Sequence, residues 1–315
     1  MREETGMTNF INRRRIGAFL CERILRRAVS GALLVPLLAM IGCMPPEVAP
    51  SIPVPDSRMG ASGPPARESN WVVPSCNLEM IWISPGAFVM GSPDMESGRD
   101  DDEGPQHKVT LTKGFWVGKY EVTQAQWVSV MGRNPSWAKG GDWGRPNNPV
   151  ECVTWQGAMN FCKELNEIER AEHRLPDGYE YTLPTEAQWE YANRAGSTAP
   201  YPDDLCAISG EGKMCLHAPA VGLFKPNAWG LYDMWGLEDE WCFDWYSPYT
   251  AGDAVDPAGP EVGTLKVARG GSWGSFPDAR RSANRITFLP NRRHIYNSFR
   301  LVLAPVPKPQ GVPEK

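Results

Sequence analysis

The stretch from Pro226 to Trp245 places four tryptophans and five carboxylates in twenty residues. Such a run has neither the wide apolar stripe of an amphipathic helix nor the alternation of a half-buried strand. Indole rings bury large areas while their N–H tips seek acceptors. Carboxylates that such neighbours draw out of water need a cation or basic partners. Two readings follow: a compact, irregular core segment that holds a hard cation, or a Trp-rich core whose acids face solvent.

The chain ahead of this stretch has the organisation of an exported protein. Arg13, Arg14, Arg15, Arg23, Arg26 and Arg27 precede the uncharged run Ala28 to Gly42, which is short for a membrane span. The run ends in Met40-Ile41-Gly42-Cys43. That ending resembles a bacterial lipobox, which implies lipidation of Cys43 and a membrane anchor; Met40 stands where leucine is usual. Ordinary signal cleavage or an uncleaved anchor is the alternative. Residues 44–70 hold seven prolines and little that forms a core. A Pro-rich tether of this length reaches on the order of 80 Å at ~3.1 Å per residue. The expected organisation is a signal peptide over 1–43, a linker over 44–70, one folded domain over 71–305 and a tail over 306–315. The expected location is an exported, membrane-anchored lipoprotein facing the periplasm or the exterior. With a net charge of −5 and no basic stripe, nucleic acid is not expected as a partner.

Six cysteines follow the lipobox: Cys76, Cys152, Cys162, Cys206, Cys215 and Cys242. An even number in an exported chain fits disulfides, and Cys206 with Cys215 would close a short loop. Zinc lacks both a C-x2-C pair and an H-x3-H pair.

Local pattern gives an α+β domain with much irregular structure. Glu79 to Ser84, Ala87 to Met90, Lys108 to Leu111, Phe115 to Lys119 and Leu265 to Arg269 read as strands. Thr123 and Thr185 each head a capping box, predicting helices to about Met131 and to near Gly196. Thr154 caps a longer helix whose apolar face is Ala158, Phe161, Cys162, Leu165 and Ile168. The acidic run Arg99 to Glu103 reads as a solvated loop, since it lacks the ligand alternation and bend glycine of a calcium loop. Gly270-Gly271-Ser272-Trp273-Gly274 matches G-x-S-x-G, with Asp278 and His294 in hydrolase order. Phe276-Pro277-Asp278 opposes the helix such an elbow needs.

In order along the chain come Met90-Gly91-Ser92, Glu103-Gly104-Pro105-Gln106-His107, Tyr120-Glu121-Val122-Thr123, Asn134-Pro135-Ser136 and Pro149-Val150-Glu151. Leu183 to Tyr191, Pro226 to Trp245, Arg269 to Trp273 and Phe299-Arg300 follow. This succession resembles the formylglycine-generating enzymes, the sulfatase-modifying factors, whose relatives include EgtB-like and PvdO-like proteins. The resemblance implies a variant of the C-type-lectin-like fold, low in regular secondary structure, with bound calcium. It assigns calcium to the side chains of Asp233 and Glu240 and the carbonyls of Gly236 and Glu238. Hard oxygens on a tight loop suit that ion. A second family calcium site lies in a stretch shortened here to Leu205 to Cys215 and is not carried over.

The family oxidises a substrate cysteine to formylglycine with O2 and a copper(I) ion held by two thiolates. Ser275 and Arg280 or a neighbour stand at the thiolate positions, and no cysteine follows Cys242. Copper(I) selects soft sulfur donors, so copper is not expected. The family's pocket Trp is Asp239, and the Asn of its G-N-x-W-E-W motif is Leu237; Ser272 is retained. The iron-binding helical domain of EgtB-like relatives has no counterpart. Two functions remain: a calcium-stabilised binding or regulatory module for a protein or peptide ligand, or a divergent oxidoreductase in which Ser272, Asp239 and His294 are the catalytic candidates. Whether the chain is an enzyme stays open at this stage.

Overall fold

The computed structural model describes residues 63–66, 68–139, 144–202 and 218–309. Cys43, Cys206 and Cys215 lie outside the described residues, so the expected lipid anchor and short disulfide loop fall there too.

Three sheets carry the domain. The first combines Trp71–Val73 (β1), Leu78–Ile83 (β2), Phe115–Gly118 (β5), Val302–Pro305 (β12) and Tyr179–Thr182 (β6), in the order β1-β2-β5-β12-β6, with antiparallel pairing throughout. Val302 lies between Val117 and Thr182, so the end of the chain is built into the sheet's interior. The second sheet orders Ile286–Phe288 (β10), Lys266–Arg269 (β9), Asp239–Trp245 (β7) and Asn297–Ser298 (β11). The third pairs Gly86–Met90 (β3), His107–Leu111 (β4) and Ala254–Val255 (β8).

The predicted strands are all present. The strand at Asp239–Trp245 was not expected; there the supposedly irregular stretch becomes regular. Its sequence hides it because both faces are covered. Trp241 points into a cluster with Trp116, Trp127, Phe161, Tyr181 and Phe299, while its neighbour Cys242 joins a second cluster with Phe115, Val117, Trp189 and Val267. A strand buried on both faces carries no hydrophobic alternation. Strand β5 is shared between the two clusters in the same way. Each fully buried indole, at 150–250 Å² of surface, contributes roughly 4–6 kcal/mol before entropy.

Three helices pack on these sheets. In Gln124–Met131 (α1), the Thr123 hydroxyl accepts from Gln126 N–H while the Gln126 side chain accepts from Thr123 N–H, and Gly132 closes the helix at φ 76°. Thr185 and Gln188 repeat the reciprocal cap for Glu186–Arg194 (α3). Thr154 caps Trp155–Ala171 (α2). The face of α2 is less apolar than its spacing suggests: Ile168 is half-buried, while Glu169 is fully buried and held by Arg174 at 2.7 and 3.0 Å.

Buried ion pairs tie the C-terminal third to the rest. Arg281 grips Glu103 at 2.5 and 2.6 Å, Arg285 grips Glu186 at 2.7 and 2.8 Å, and Arg300 grips Glu240 at 2.6 Å on both oxygens. Arg269 pairs with Glu190. All four arginines are 0–1% exposed. The acidic loop is therefore no solvated face at its end: Glu103 is buried, and hydrogen bonds from Arg281 and Ser92 outweigh burial to hold its carboxyl below the ordinary value. The described cysteines Cys76, Cys152, Cys162 and Cys242 are free thiols, so the disulfide expectation does not extend to them.

Candidate functional site

The site forms where the second sheet meets two turns. β9 ends at Arg269, and Gly270 and Gly271 follow at φ +99° and +75°. A Cβ on Gly271 would lie 2.8 Å from the Ala279 carbonyl and 3.0 Å from the Arg280 side chain, so only glycine lets the turn sit this close to the segment after it. The Trp273 N–H donates to the Leu237 carbonyl at 2.9 Å, which fixes the turn against the loop leading into β7.

Ser272 is buried, and its Oγ lies 3.0 Å from Ser275 Oγ, which also accepts from the Ser272 N–H. Arg280 closes the turn by donating from Nη2 to the Ser272 carbonyl at 3.3 Å. Trp273 stands edge-on to Tyr296 at 4.5 Å, and Tyr296 packs on His294 at 4.7 Å. The His294 carbonyl accepts from Cys152 N–H, next to Glu151. Glu151 also receives Ala138 N–H, donates its own N–H to Ser136 Oγ, and so steadies the loop carrying Trp137, which is 64% exposed. Phe276, beyond the turn, is 80% exposed. An aromatic strip of Trp273, Tyr296 and His294 thus borders the Gly-Gly-Ser turn.

The three catalytic candidates surround the Trp273–Tyr296 pair without bonding to one another. Asp239 donates its backbone N–H to the Tyr296 carbonyl, lies beside Asn297 in parallel register, and keeps Oδ1 buried without a partner. Burial raises its pKa to about 8. His294 is lowered by burial and by Arg292 nearby. Asp278 packs against Gly98 rather than His294, and only a short 3-10 turn, Pro277–Arg280, follows Ser272, so no hydrolase elbow is built.

The residues assigned to calcium share one loop, but protein donors already hold their carboxylates. Asp233 accepts from the backbone N–H groups of Gly222 and Phe224. Glu240 accepts from Arg300 and from Trp189 Nε1. Gly236, at φ +135°, is wedged between Phe224 and Arg280, and the Glu238 side chain is fully buried with the Trp273 indole facing it. Burial, then the charges of Glu121, Asp239 and Glu151, push Glu238 well above the ordinary carboxylate range. A calcium ion at Asp233 and Glu240 would share carboxylates that already accept these hydrogen bonds. Among the described residues, no three His, Cys, Asp or Glu side chains group as a metal site.

The donor set does not fit copper(I). The hydroxyl of Ser275 and the guanidinium of Arg280, which the resemblance sets at or near the thiolate positions, supply no soft sulfur. Cys242 is buried on the other side of β7, its thiol pushed up by burial and by Glu186.

Across the Trp235–Gly236 loop lies an open cleft of about 330 Å³, lined by Tyr201, Phe224, Lys225, Trp235 and Ser282 among others. Sequence reading missed this cleft and the aromatic strip. Trp137, Tyr296 and Phe224 are far apart in the chain and carry no shared motif.

Residues 72–305 match the model of the sulfatase-modifying factor enzyme 1-like domain. The chaperone protein LppX of Paenibacillus barcinonensis is 33% identical over 213 residues, covering 52% of this chain and 71% of that protein. The formylglycine-generating enzyme of Thermomonospora curvata is 27% identical over 300 residues, covering 72% and 94%. Among solved structures, PvdO from Pseudomonas aeruginosa superposes with a TM-score of 0.64 at 27% identity, covering 76% of this chain and 99% of that one. Treponema denticola variable protein 1 gives 0.63 at 26% identity, covering 75% and 98%.

Proposed function

Because the chain belongs to the sulfatase-modifying factor enzyme 1-like family, we propose that it uses the family's fold without its copper oxidase chemistry, as a polypeptide-binding module of an exported lipoprotein. The observation that carries this reading is the replacement at the Gly-Gly-Ser turn. The glycines of the turn and the Arg269 and Arg285 ion pairs beside it are present, while the resemblance sets Ser275 and Arg280 or a neighbour at the two thiolate positions. Redox chemistry at this turn has lost its metal donors, while the surface beside it keeps exposed aromatic rings. Such rings recognise extended chains with little loss of side-chain entropy. A relative named as a chaperone protein, LppX, supports the polypeptide ligand.

Calcium belongs to the proposal as a competitor of Arg300. The Arg300 guanidinium already faces Glu240 and lies within electrostatic reach of Glu121 and Asp233, so a protein cation stands at this loop.

The test is equilibrium binding of a fluorescein-labelled, reduced and alkylated globular protein, monitored by anisotropy. The full chain should bind the unfolded probe and ignore the same protein in its native, disulfide-bonded form. Replacing Trp137 and Phe276 together by Ala should weaken binding at least tenfold while leaving the melting temperature unchanged. Equal affinity for folded and unfolded probe, or no effect of the double replacement, would contradict the reading.

A further inference from the structure

Among the buried arginines of this domain, Arg280 stands apart. Arg194, Arg269, Arg281, Arg285 and Arg300 each face a carboxylate. Arg280 is only 7% exposed, yet no carboxylate among the described residues pairs with it. Its one hydrogen bond goes to the Ser272 carbonyl, and Nε is buried with no partner. Burial is the sole influence on its titration and lowers its pKa, whereas the paired Arg269, Arg281, Arg285 and Arg300 are all raised.

A buried charge without a counter-ion costs several kcal/mol, and at its other buried arginines this domain meets that cost with glutamates. The surroundings of Arg280 are apolar. Gly236 separates it from Phe224: a Cβ there would lie 3.2 Å from the Phe224 ring and 3.5 Å from Arg280 Nε. Phe224 clusters with Ala218 and Leu237, and Trp273 packs against that cluster. Arg280 therefore adjoins the Ser272 turn on one side and, across Gly236, the ring of Phe224, which helps to line the 330 Å³ cleft. Low-dielectric walls strengthen the attraction of a guanidinium for an incoming anion.

We propose that Arg280 is an anion-recognition residue that receives a carboxylate of the bound polypeptide, from an acidic side chain or from the chain terminus, beside the Gly-Gly-Ser turn. A planar, singly charged carboxylate matches one guanidinium in both shape and charge. A dianionic phosphate or sulfate would call for a second cation, and the turn supplies only the Ser272 and Ser275 hydroxyls. The identity of the ligand as a polypeptide rests on the proposed function; the anion site rests on Arg280 alone.

The experiment is a thermal-shift comparison of the full chain in acetate, N-acetylglutamate, sulfate and chloride at matched ionic strength, for wild type, Arg280→Met and Arg280→Lys. Methionine keeps the packed stem and removes the charge. Without added carboxylate, Arg280→Met should melt higher than wild type, because an uncompensated charge is gone. Carboxylates should raise the wild-type melting temperature above its value in chloride and leave Arg280→Met unmoved, with Arg280→Lys between. If Arg280→Met does not fold, wild type against Arg280→Lys carries the same comparison. Three blocked peptides then locate the source: one with an internal Glu, one with Gln in its place, and the Gln peptide with a free C-terminal carboxylate. At least one carboxylate peptide should bind wild type tenfold or more tightly than the blocked Gln peptide, and Arg280→Met should erase that ratio. Equal anion responses in wild type and Arg280→Met, or a larger wild-type response to sulfate than to carboxylates, would overturn the assignment. If acetate acts through Arg280 but neither peptide nor unfolded protein binds, the polypeptide reading fails and the anion site stands. If unfolded protein binds with no Arg280-dependent preference, the reverse holds.

Discussion

Replacing Arg300 by Leu tests the idea that an internal cation organises the acidic loop. Arg300 grips both oxygens of Glu240 at 2.6 Å, and also donates to the carbonyls of Gly118 and Tyr232 at 3.1 and 3.0 Å. Without it, Glu240 keeps only the Trp189 N–H, 2.8 Å away, and remains buried near Glu121 and Asp233. Removing one partner of a buried pair costs about 3–5 kcal/mol. In a domain of this size that corresponds to a fall of roughly 6–20 °C in melting temperature, at ~2–4 °C per kcal/mol. The double variant Arg300→Leu with Glu240→Leu should recover most of the loss, since no charge is left stranded. Urea unfolding followed by tryptophan fluorescence at pH 5 and pH 8 reads both effects. A single variant within 1 kcal/mol of wild type, or a double variant no better than the single, would refute the reasoning.

The raised carboxylates define a second prediction. Asp239, Asp244 and Asp233 are shifted by burial from 3.8 to about 8, 7 and 6, so each contributes stability below about pH 4 that is lost as pH climbs through its folded value. Glu103 and Glu186 are lowered and act the other way, losing their contribution as pH falls below their ordinary value. Asp239→Asn should therefore gain on wild type between pH 5 and 8 by up to about 1.4 kcal/mol per pH unit; a pH-independent difference would argue against a buried, protonated Asp239. Gly271→Ala meets the Ala279 carbonyl at 2.8 Å from a φ of +75° and should destabilise by more than ~1 kcal/mol in the same urea assay. Calcium should shift the melting temperature of wild type little and that of Arg300→Leu more; a large shift in wild type would show that the ion displaces Arg300 from Glu240.

Local chemistry was legible in the sequence. The reciprocal caps at Thr123 and Thr185 span four residues each, and both helices begin where those pairs place them. The family signature likewise gave the fold and the Gly-Gly-Ser turn. What stayed hidden depends on distance along the chain. Glu103 looks solvated within its own acidic run because Arg281 lies 178 residues away. Trp241 and Cys242 read as irregular because two cores claim adjacent residues, which erases the period of a strand. The singular state of Arg280 emerges only after every other buried arginine has been matched with its acid. The calcium ligands and the three catalytic candidates were named from motif position, which places residues in a loop but does not show what meets them across the chain, such as Arg300 and Trp189 at Glu240.

The central claim is that an intact formylglycine-generating scaffold here works without the metal chemistry of its relatives. Incubation of the reduced protein with copper(I), O2 and a cysteine-containing sulfatase-type peptide, with peptide mass and oxygen uptake recorded together, tests it most directly. The account predicts that the peptide keeps its thiol and that uptake equals that of the copper buffer alone. Conversion of the cysteine to an aldehyde, with oxygen consumed in step, would contradict it.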